Sequence, residues 1–264
     1  MNNYINDKTV IITGASSGLG RELALQLSRQ NTTLILCARR VEKLELVKKE
    51  CAKYTKKDIF VIELDLCDEE SIEVAVKTIK GCVKKVDILI NNAGFGYFKK
   101  FVDFDMKVAK NMFDTNLLGA MKFSQSFVKM MIEQKEGHII NVASQAAKAP
   151  LPELSIYSAT KYAVVGFSNC LRLELKKYNV KVTTVNPGPI DTEFFDNANS
   201  SREFVDKAKA ITLHVNTVAR RIINAIGTNK REVNMPFILE LTTKFYNLFP
   251  FFGDFVILKM FSNK

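Results

Sequence analysis

Thr9-Val10-Ile11-Ile12-Thr13-Gly14-Ala15-Ser16-Ser17-Gly18-Leu19-Gly20 is the stretch on which the fold turns. Thr9 to Thr13 are all β-branched, as expected of a strand covered on both faces. Three glycines follow at the spacing G-x-x-x-G-x-G, and a helical pattern runs from Gly18 to Arg29. Glycine lets the backbone take positive φ and come close to an anion. The free N–H groups and positive dipole end of the next helix favour negative charge. Strand, glycine turn and helix in this order predict a phosphate-cradling turn at the carboxyl edge of a parallel sheet. The spacing differs from the G-x-G-x-x-G of the general dinucleotide fingerprint.

The same alternation continues outward. Apolar runs predict further strands at Thr33 to Cys37, Ile59 to Leu64, Val86 to Asn91, His138 to Val142 and Val180 to Asn186, with a weaker one near Val233 to Leu239. Helical periods lie between them at Val41 to Tyr54, Glu69 to Gly81, Met106 to Glu133, Ser155 to Tyr178 and Asn216 to Gly227. This pattern is that of an α/β protein, a doubly wound parallel sheet of about seven strands with helices on both faces. At 264 residues the chain suits one such domain spanning 1–264.

Composition narrows the function classes. Lys plus Arg at 38 against Asp plus Glu at 28 leaves +10, which suits nucleic acid, an anionic membrane or a phosphorylated ligand. No basic run or nucleic-acid motif supports the first, so no nucleic-acid partner is expected. Five cysteines without Cys-x-x-Cys pairing fit a reducing, cytoplasmic setting, as does an N-terminus without an apolar leader. Two histidines, His138 and His214, leave little for a metal site, and none is expected.

Further motifs sit at the ends of the predicted elements. Asn91-Asn92-Ala93-Gly94 closes the fourth strand, Asp65 and Leu66 follow the third, Asp114-Thr115-Asn116 lies in the long fourth helix, and Ser144 follows the fifth strand. Tyr157-Ser158-Ala159-Thr160-Lys161 opens the helix from Ser155, and Asn186-Pro187-Gly188-Pro189-Ile190-Asp191-Thr192 follows the sixth strand. With the variant glycine spacing, this set resembles the short-chain dehydrogenase/reductase family over nearly the whole chain. The resemblance implies a single Rossmann-type domain with Asn116, Ser144, Tyr157 and Lys161 as catalytic tetrad, Asn116 holding a water that links Lys161 to solvent. It implies a nicotinamide dinucleotide held by Gly14, Ser16, Ser17, Gly18, Leu19 and Gly20, with Asp65 and Leu66 at the adenine. Asn92, Ala93, Gly94, Tyr157, Lys161, Pro187, Gly188, Ile190 and Thr192 would border its other end. It further implies a homodimer or homotetramer built through the helices 106–133 and 155–178.

The chemistry can also be argued from the residues. Tyr157 and Lys161 stand four apart on a helix and share a face. A free phenol has a pKa of about 10, and a nearby ammonium should lower it toward neutrality, suiting it to acid/base work. Ser144, at the carboxyl end of a strand, can hold a substrate oxygen against it. The expected reaction is carbonyl/alcohol interconversion by hydride transfer, with a non-catalytic NADP(H) sensor on the same fold as the alternative. At the end of the second strand, Ala38 takes the place of the carboxylate that usually holds a ribose 2′-hydroxyl. Arg39, with Arg40 beside it, suits a 2′-phosphate, so NADP(H) is expected over NAD(H).

Phe95 to Phe98, Ala146 to Leu154, and Phe194 and Phe195 should wall an apolar substrate pocket. The stretch 187–214 reads as a substrate loop. The phenylalanine-rich segment 237–264 reads as a cover for the pocket or a subunit interface, with contact to a membrane surface as the less favoured alternative.

Overall fold

The structure, a computed structural model, describes residues 3–198 and 211–261. Its seven strands are β1 (Thr9–Thr13), β2 (Thr33–Ala38), β3 (Ile59–Glu63), β4 (Ile88–Asn91), β5 (Gly137–Val142), β6 (Val180–Pro187) and β7 (Glu232–Met235). They form one sheet in the order β3-β2-β1-β4-β5-β6-β7, and every pairing is parallel. The order reverses at β1 and β4, where open α/β sheets leave a crevice at their carboxyl edge.

Strand alternation sorts the core onto two faces. Val10 and Ile12 point to one, with Leu23 and Leu27 of α1 (Gly18–Ser28), Leu44 and Val47 of α2 (Val41–Cys51), and Val218 and Ile222 of the later helix Val215–Ala225. Ile11 points to the other, with Ile72 and Ile79 of α3 (Glu69–Cys82) and the fully buried Phe123 and Phe127. Those two rings pack edge to face at 5.1 Å. They belong to α5 (Gly119–Gln134), which follows α4 (Met106–Phe113).

Most expected boundaries hold within a few residues, and two expectations need correcting. The long helix from Met106 is interrupted by a π-helical turn at Asp114–Leu118. There Asn116 is buried, and Gly119 follows because a Cβ would run into the Leu66 carbonyl. The seventh strand stops at Met235 rather than reaching Leu239, because Pro236 has no N–H to continue a ladder and the chain turns helical at Phe237. The phenylalanine-rich segment forms a helical hairpin. Pro250 starts its second helix, a first-turn position that proline suits, and Gly253 lies inside that helix because a Cβ would meet the Tyr246 ring.

The remaining helices are α6 (Ser155–Leu175), the short α7 (Phe194–Asn197), α8 (Val215–Ala225), α9 (Phe237–Leu248) and α10 (Pro250–Phe261). A bridge between Ile190 and Leu213 brings the ends of the expected substrate loop together. Its residues 199–210 lie outside the described residues.

Candidate active site

Thr13 ends β1 as a clamp. Its Oγ1 accepts from the Asn92 and Ala93 N–H groups at 3.0 Å each, and Asn92 Nδ2 donates to the Thr13 carbonyl at 3.0 Å. The glycine turn is thereby fixed to the end of β4. Gly14 has φ +67°, and a Cβ there would lie 2.9 Å from Ala93 Cα. Gly18 has φ +50°, opening α1 in the left-handed region that favours glycine.

A cavity of about 1170 Å³ runs along this carboxyl edge. At one end its walls are Gly14, Ser16, Ser17, Gly18 and Leu19, with Arg39 and Arg40 from the end of β2 and Asp65 and Leu66 from the end of β3. Asn92, Ala93 and Gly94 continue the wall to Ser144, Tyr157 and Lys161, and Pro187, Gly188, Ile190 and Thr192 close the far side. Of the residues expected in the site, Gly20 and Asn116 do not line this cavity. Gly20 lies behind the turn, where a Cβ would strike the Gly14 carbonyl.

Asn116 lies one layer back. Its Oδ1 accepts from the Phe95 N–H at 2.9 Å, and its Nδ2 donates to the Phe95 carbonyl at 2.9 Å and to Thr160 Oγ1 at 3.1 Å. Thr160 Oγ1 in turn donates to the Tyr157 carbonyl at 2.8 Å. A Cβ on Gly94 would fall 2.8 Å from Asn116 Oδ1 and 3.4 Å from Lys161 Nζ. Glycine at 94 therefore lets these side chains sit together. A second polar ladder ties the helices to the strands beneath: Asn91 donates to Ser124 and to Asn141, and Asn141 donates to Ser168.

Tyr157 and Lys161 are both buried. Lys161 Nζ donates to the Val142 carbonyl at 3.1 Å and lies 5.8 Å from the Tyr157 ring centre. Burial pushes the Lys161 ammonium down to about 8. It pushes the Tyr157 phenol up to about 12, with the Ser144 hydroxyl drawing it back in part. Burial dominates at the Tyr157 phenol, with the Ser144 hydroxyl opposing it, against the expectation that Lys161 would bring the phenol toward neutrality. The phenol is therefore protonated at neutral pH. Ser144 Oγ also accepts from the Ala146 N–H at 3.1 Å, which seats the turn after β5.

Aromatic rings collar the phenol. Phe98 and Phe194 stand 5.5 and 5.9 Å from the Tyr157 ring, centre to centre. Phe95, Leu151, Leu154 and Phe195 extend this apolar end of the cavity, as the sequence suggests. Sequence reasoning missed three groups. Thr13 and Thr160 hold the frame with hydroxyls that no chemical motif singles out. Gln145 is buried in the wall, and its Oε1 has no hydrogen-bond partner among the described residues. The inner face of the hairpin, through Leu239, Thr243, Tyr246 and Ile257, supplies the remaining wall.

His138 and His214 are not in the site. His138 begins the register of β5 at the opposite end of the sheet, where Nδ1 accepts from the Gly227 N–H and Nε2 meets Thr183 Oγ1, each at 2.9 Å. His214 is exposed before α8. Among the described residues no cluster of His, Cys, Asp or Glu could hold a metal.

Fold and cavity together define a dinucleotide-binding α/β protein whose phosphate turn shares one chamber with a Ser, Tyr and Lys set. Residues 8–203 match the short chain dehydrogenase family, and the chain belongs to that family as a dehydrogenase/reductase. "Dehydrogenase/reductase SDR family member 7B" of Mus musculus is 35% identical over 87% of this chain and 73% of its own length. The structure of an alcohol dehydrogenase from Thermococcus sibiricus complexed with 5-hydroxy-NADP superposes with TM-score 0.78 at 25% identity, over 86% of this chain and 95% of that one. A family protein from Burkholderia phymatum in complex with NAD superposes with TM-score 0.83 at 22% identity, over 92% and 94% of the two chains, and shares the fold.

Proposed function

We propose that the protein reduces a carbonyl on an apolar substrate with NADP(H), Tyr157 giving the proton. The observation that carries this reading is the single cavity joining the glycine turn to Ser144, Tyr157 and Lys161. The turn also fits a dinucleotide by shape, since side chains at Gly14 and Gly18 would strain the backbone that lines the cradle. A bound nicotinamide dinucleotide supplies the hydride in this chemistry.

The chain's own residues would divide the remaining work. The backbone of Gly14 to Leu19 would hold the pyrophosphate, and Asp65 and Leu66 the adenine. Ser144 would hold the substrate oxygen by hydrogen bonding, and the protonated Tyr157 would donate to that oxygen as negative charge grows on it. Lys161, anchored on Val142, would add positive charge behind the phenol. Asn116 would act through Thr160 and Gly94 as a positioning residue and as the link to a water.

The choice of NADP(H) over NAD(H) rests on the end of β2. Arg39 and Arg40 are exposed at the cavity wall, and Arg40 Nη2 donates to Ser16 Oγ at 3.2 Å and Ser17 Oγ at 2.9 Å. No carboxylate stands at Ala38. Two guanidinium groups and two serines at the phosphate turn favour one more phosphate. The aromatic collar and the hairpin favour an apolar carbonyl compound.

We also assign a cytoplasmic setting on the free thiols. We further assign homodimer or homotetramer formation to the outer faces of α5 and α6, where Leu173 is exposed. The test of the main reading is NADPH absorbance across a panel of apolar ketones and aldehydes and of small charged ones. Turnover of apolar members alone, lost in Tyr157→Phe, is the expected result. Turnover confined to charged members overturns the substrate reading, and NADPH binding with no turnover at all favours a sensor.

A further inference from the structure

The hairpin has an inner and an outer face of different character. At about 100° per residue, Phe237, Ile238, Leu241, Phe245 and Leu248 of α9 share a sector of about 100°, and these five and the following Phe249 are exposed. The opposite side of α9 carries Leu239, Thr243 and Tyr246, which line the cavity. On α10, Phe251, Phe252, Phe255, Val256 and Leu258 are likewise exposed, while Gly253 is buried against Tyr246. Tyr246 Oη donates to Asp254 Oδ1 at 2.9 Å, and the Phe245 ring stands 5.8 Å from that of Phe252, so the two helices present these side chains as one joined unit. Leu248 is 74% exposed and Phe251 91%. An amphipathic helix normally turns its apolar stripe to the core, and a contiguous exposed apolar patch marks a docking surface.

Three observations choose the occupant. Phe245, Phe252 and Val256 are exposed and also line the cavity, so the apolar face borders the cavity mouth. A folded partner seated there would cap that mouth, whereas a lipid surface leaves it open to apolar solutes. The chain as a whole carries +10, which complements an anionic surface, while on the hairpin itself Lys244 pairs with Glu240 at 2.8 Å and Asp254 balances Lys259. Among the described residues no helix is long and apolar enough to cross a membrane, which leaves lying in the interface as the way two short helices meet lipid.

We propose that the outer face of α9 and α10 docks the protein on an anionic lipid bilayer, with the mouth of the cavity against the lipid. The chain has no tryptophan, so Phe251→Trp places a single indole reporter on the face. The full-length protein is floated with vesicles of phosphatidylcholine alone and of phosphatidylcholine with phosphatidylglycerol, and the emission of the Phe251→Trp variant is read beside it. Flotation with the anionic vesicles, weakened by salt, and an emission shift to the blue are expected. The double variant Leu248→Glu with Phe251→Glu should float at least tenfold less while keeping its melting temperature and its NADPH binding. No flotation with either vesicle, or no emission shift, overturns the proposal. A blue shift without vesicles that rises with protein concentration, together with a dimer by sedimentation, overturns it in favour of a second copy. The Leu248→Glu/Phe251→Glu variant binding vesicles as well as the parent overturns it too.

Discussion

Strand β5 carries polar side chains at both ends of the sheet, and the two ends use them differently. At its amino end His138 is fully buried, and both ring nitrogens are hydrogen-bonded, to the Gly227 N–H and to Thr183 Oγ1. At its carboxyl end the chain runs into Ser144, and beyond it Tyr157 and Lys161 are buried beside a cavity. Both ends remove ionisable groups from water, and burial moves all three groups away from their charged forms. What differs is the partner. The imidazole is spent on the fold, whereas the phenol faces a chamber that a substrate can enter. A buried titratable group is thus a reaction group when its polar atom is left to the cavity, and a structural one when its bonds are closed.

The sharpest way to break this comparison is Tyr157→Phe. Ring, packing and collar are retained and the proton donor is lost. Turnover should fall by at least about 10³-fold, with melting temperature and NADPH binding close to the parent. A variant that keeps turnover would show that the proton comes from elsewhere and that the two ends of β5 do not differ as argued.

Lys161→Met should come next, at about 10²-fold in kcat. Removing a group held near 8 by burial should also flatten the pH dependence of kcat between about 7 and 9. A kcat profile identical in shape to the parent would remove Lys161 from the proton chemistry. Arg39→Ala tests the other end of the same edge. The group is exposed and screened, so the expected loss is roughly tenfold in kcat/KM for NADPH, or about 1.4 kcal/mol, with kcat/KM for NADH unchanged. An equal loss with both nucleotides would mean that Arg39 does not read the 2′-phosphate.

The legibility of these regions in the sequence follows the same division. Gly14, Gly18 and Gly94 sit where a Cβ would strain or collide, and residue type therefore announces geometry. Tyr157 and Lys161 announce themselves by helical spacing. The π turn at Asp114–Leu118 was not legible, because its residues fit an α-helical period and no residue type among them marks a wider turn. Nor was Gln145, whose role depends on which amide atom Asn186 occupies. The phenylalanines of α9 and α10 were plain in the sequence, yet apolar character does not say which face turns inward. Thr243 and Gly253, the small residues on the buried side, decide that, and their role is visible only once the hairpin is packed.

His138 gives the smallest effect and the complementary one. Burial, with the Lys181 ammonium adding to it, holds the folded imidazole near 3 against about 6.5 in the unfolded chain. Thr183, Gly227 and the Lys230 carbonyl behind Thr183 face it as neutral partners. The unfolded state therefore binds a proton below about 6.5 that the folded state refuses. Stability is fully present above that value and is lost as pH falls toward 3. Between pH 7.5 and 5.5, above the range where most carboxylates titrate, the loss should be about 1 kcal/mol, read from urea unfolding at each pH. His138→Gln should be less stable at every pH by about 1–3 kcal/mol, because it strands the partners of the ring, but its slope over this interval should be flatter than the parent's. NADPH-linked turnover of that variant, measured below its melting range, should match the parent. Equal slopes would mean that the imidazole gains a proton in the folded state, and a lost turnover would mean that the amino end of β5 is coupled to the site after all.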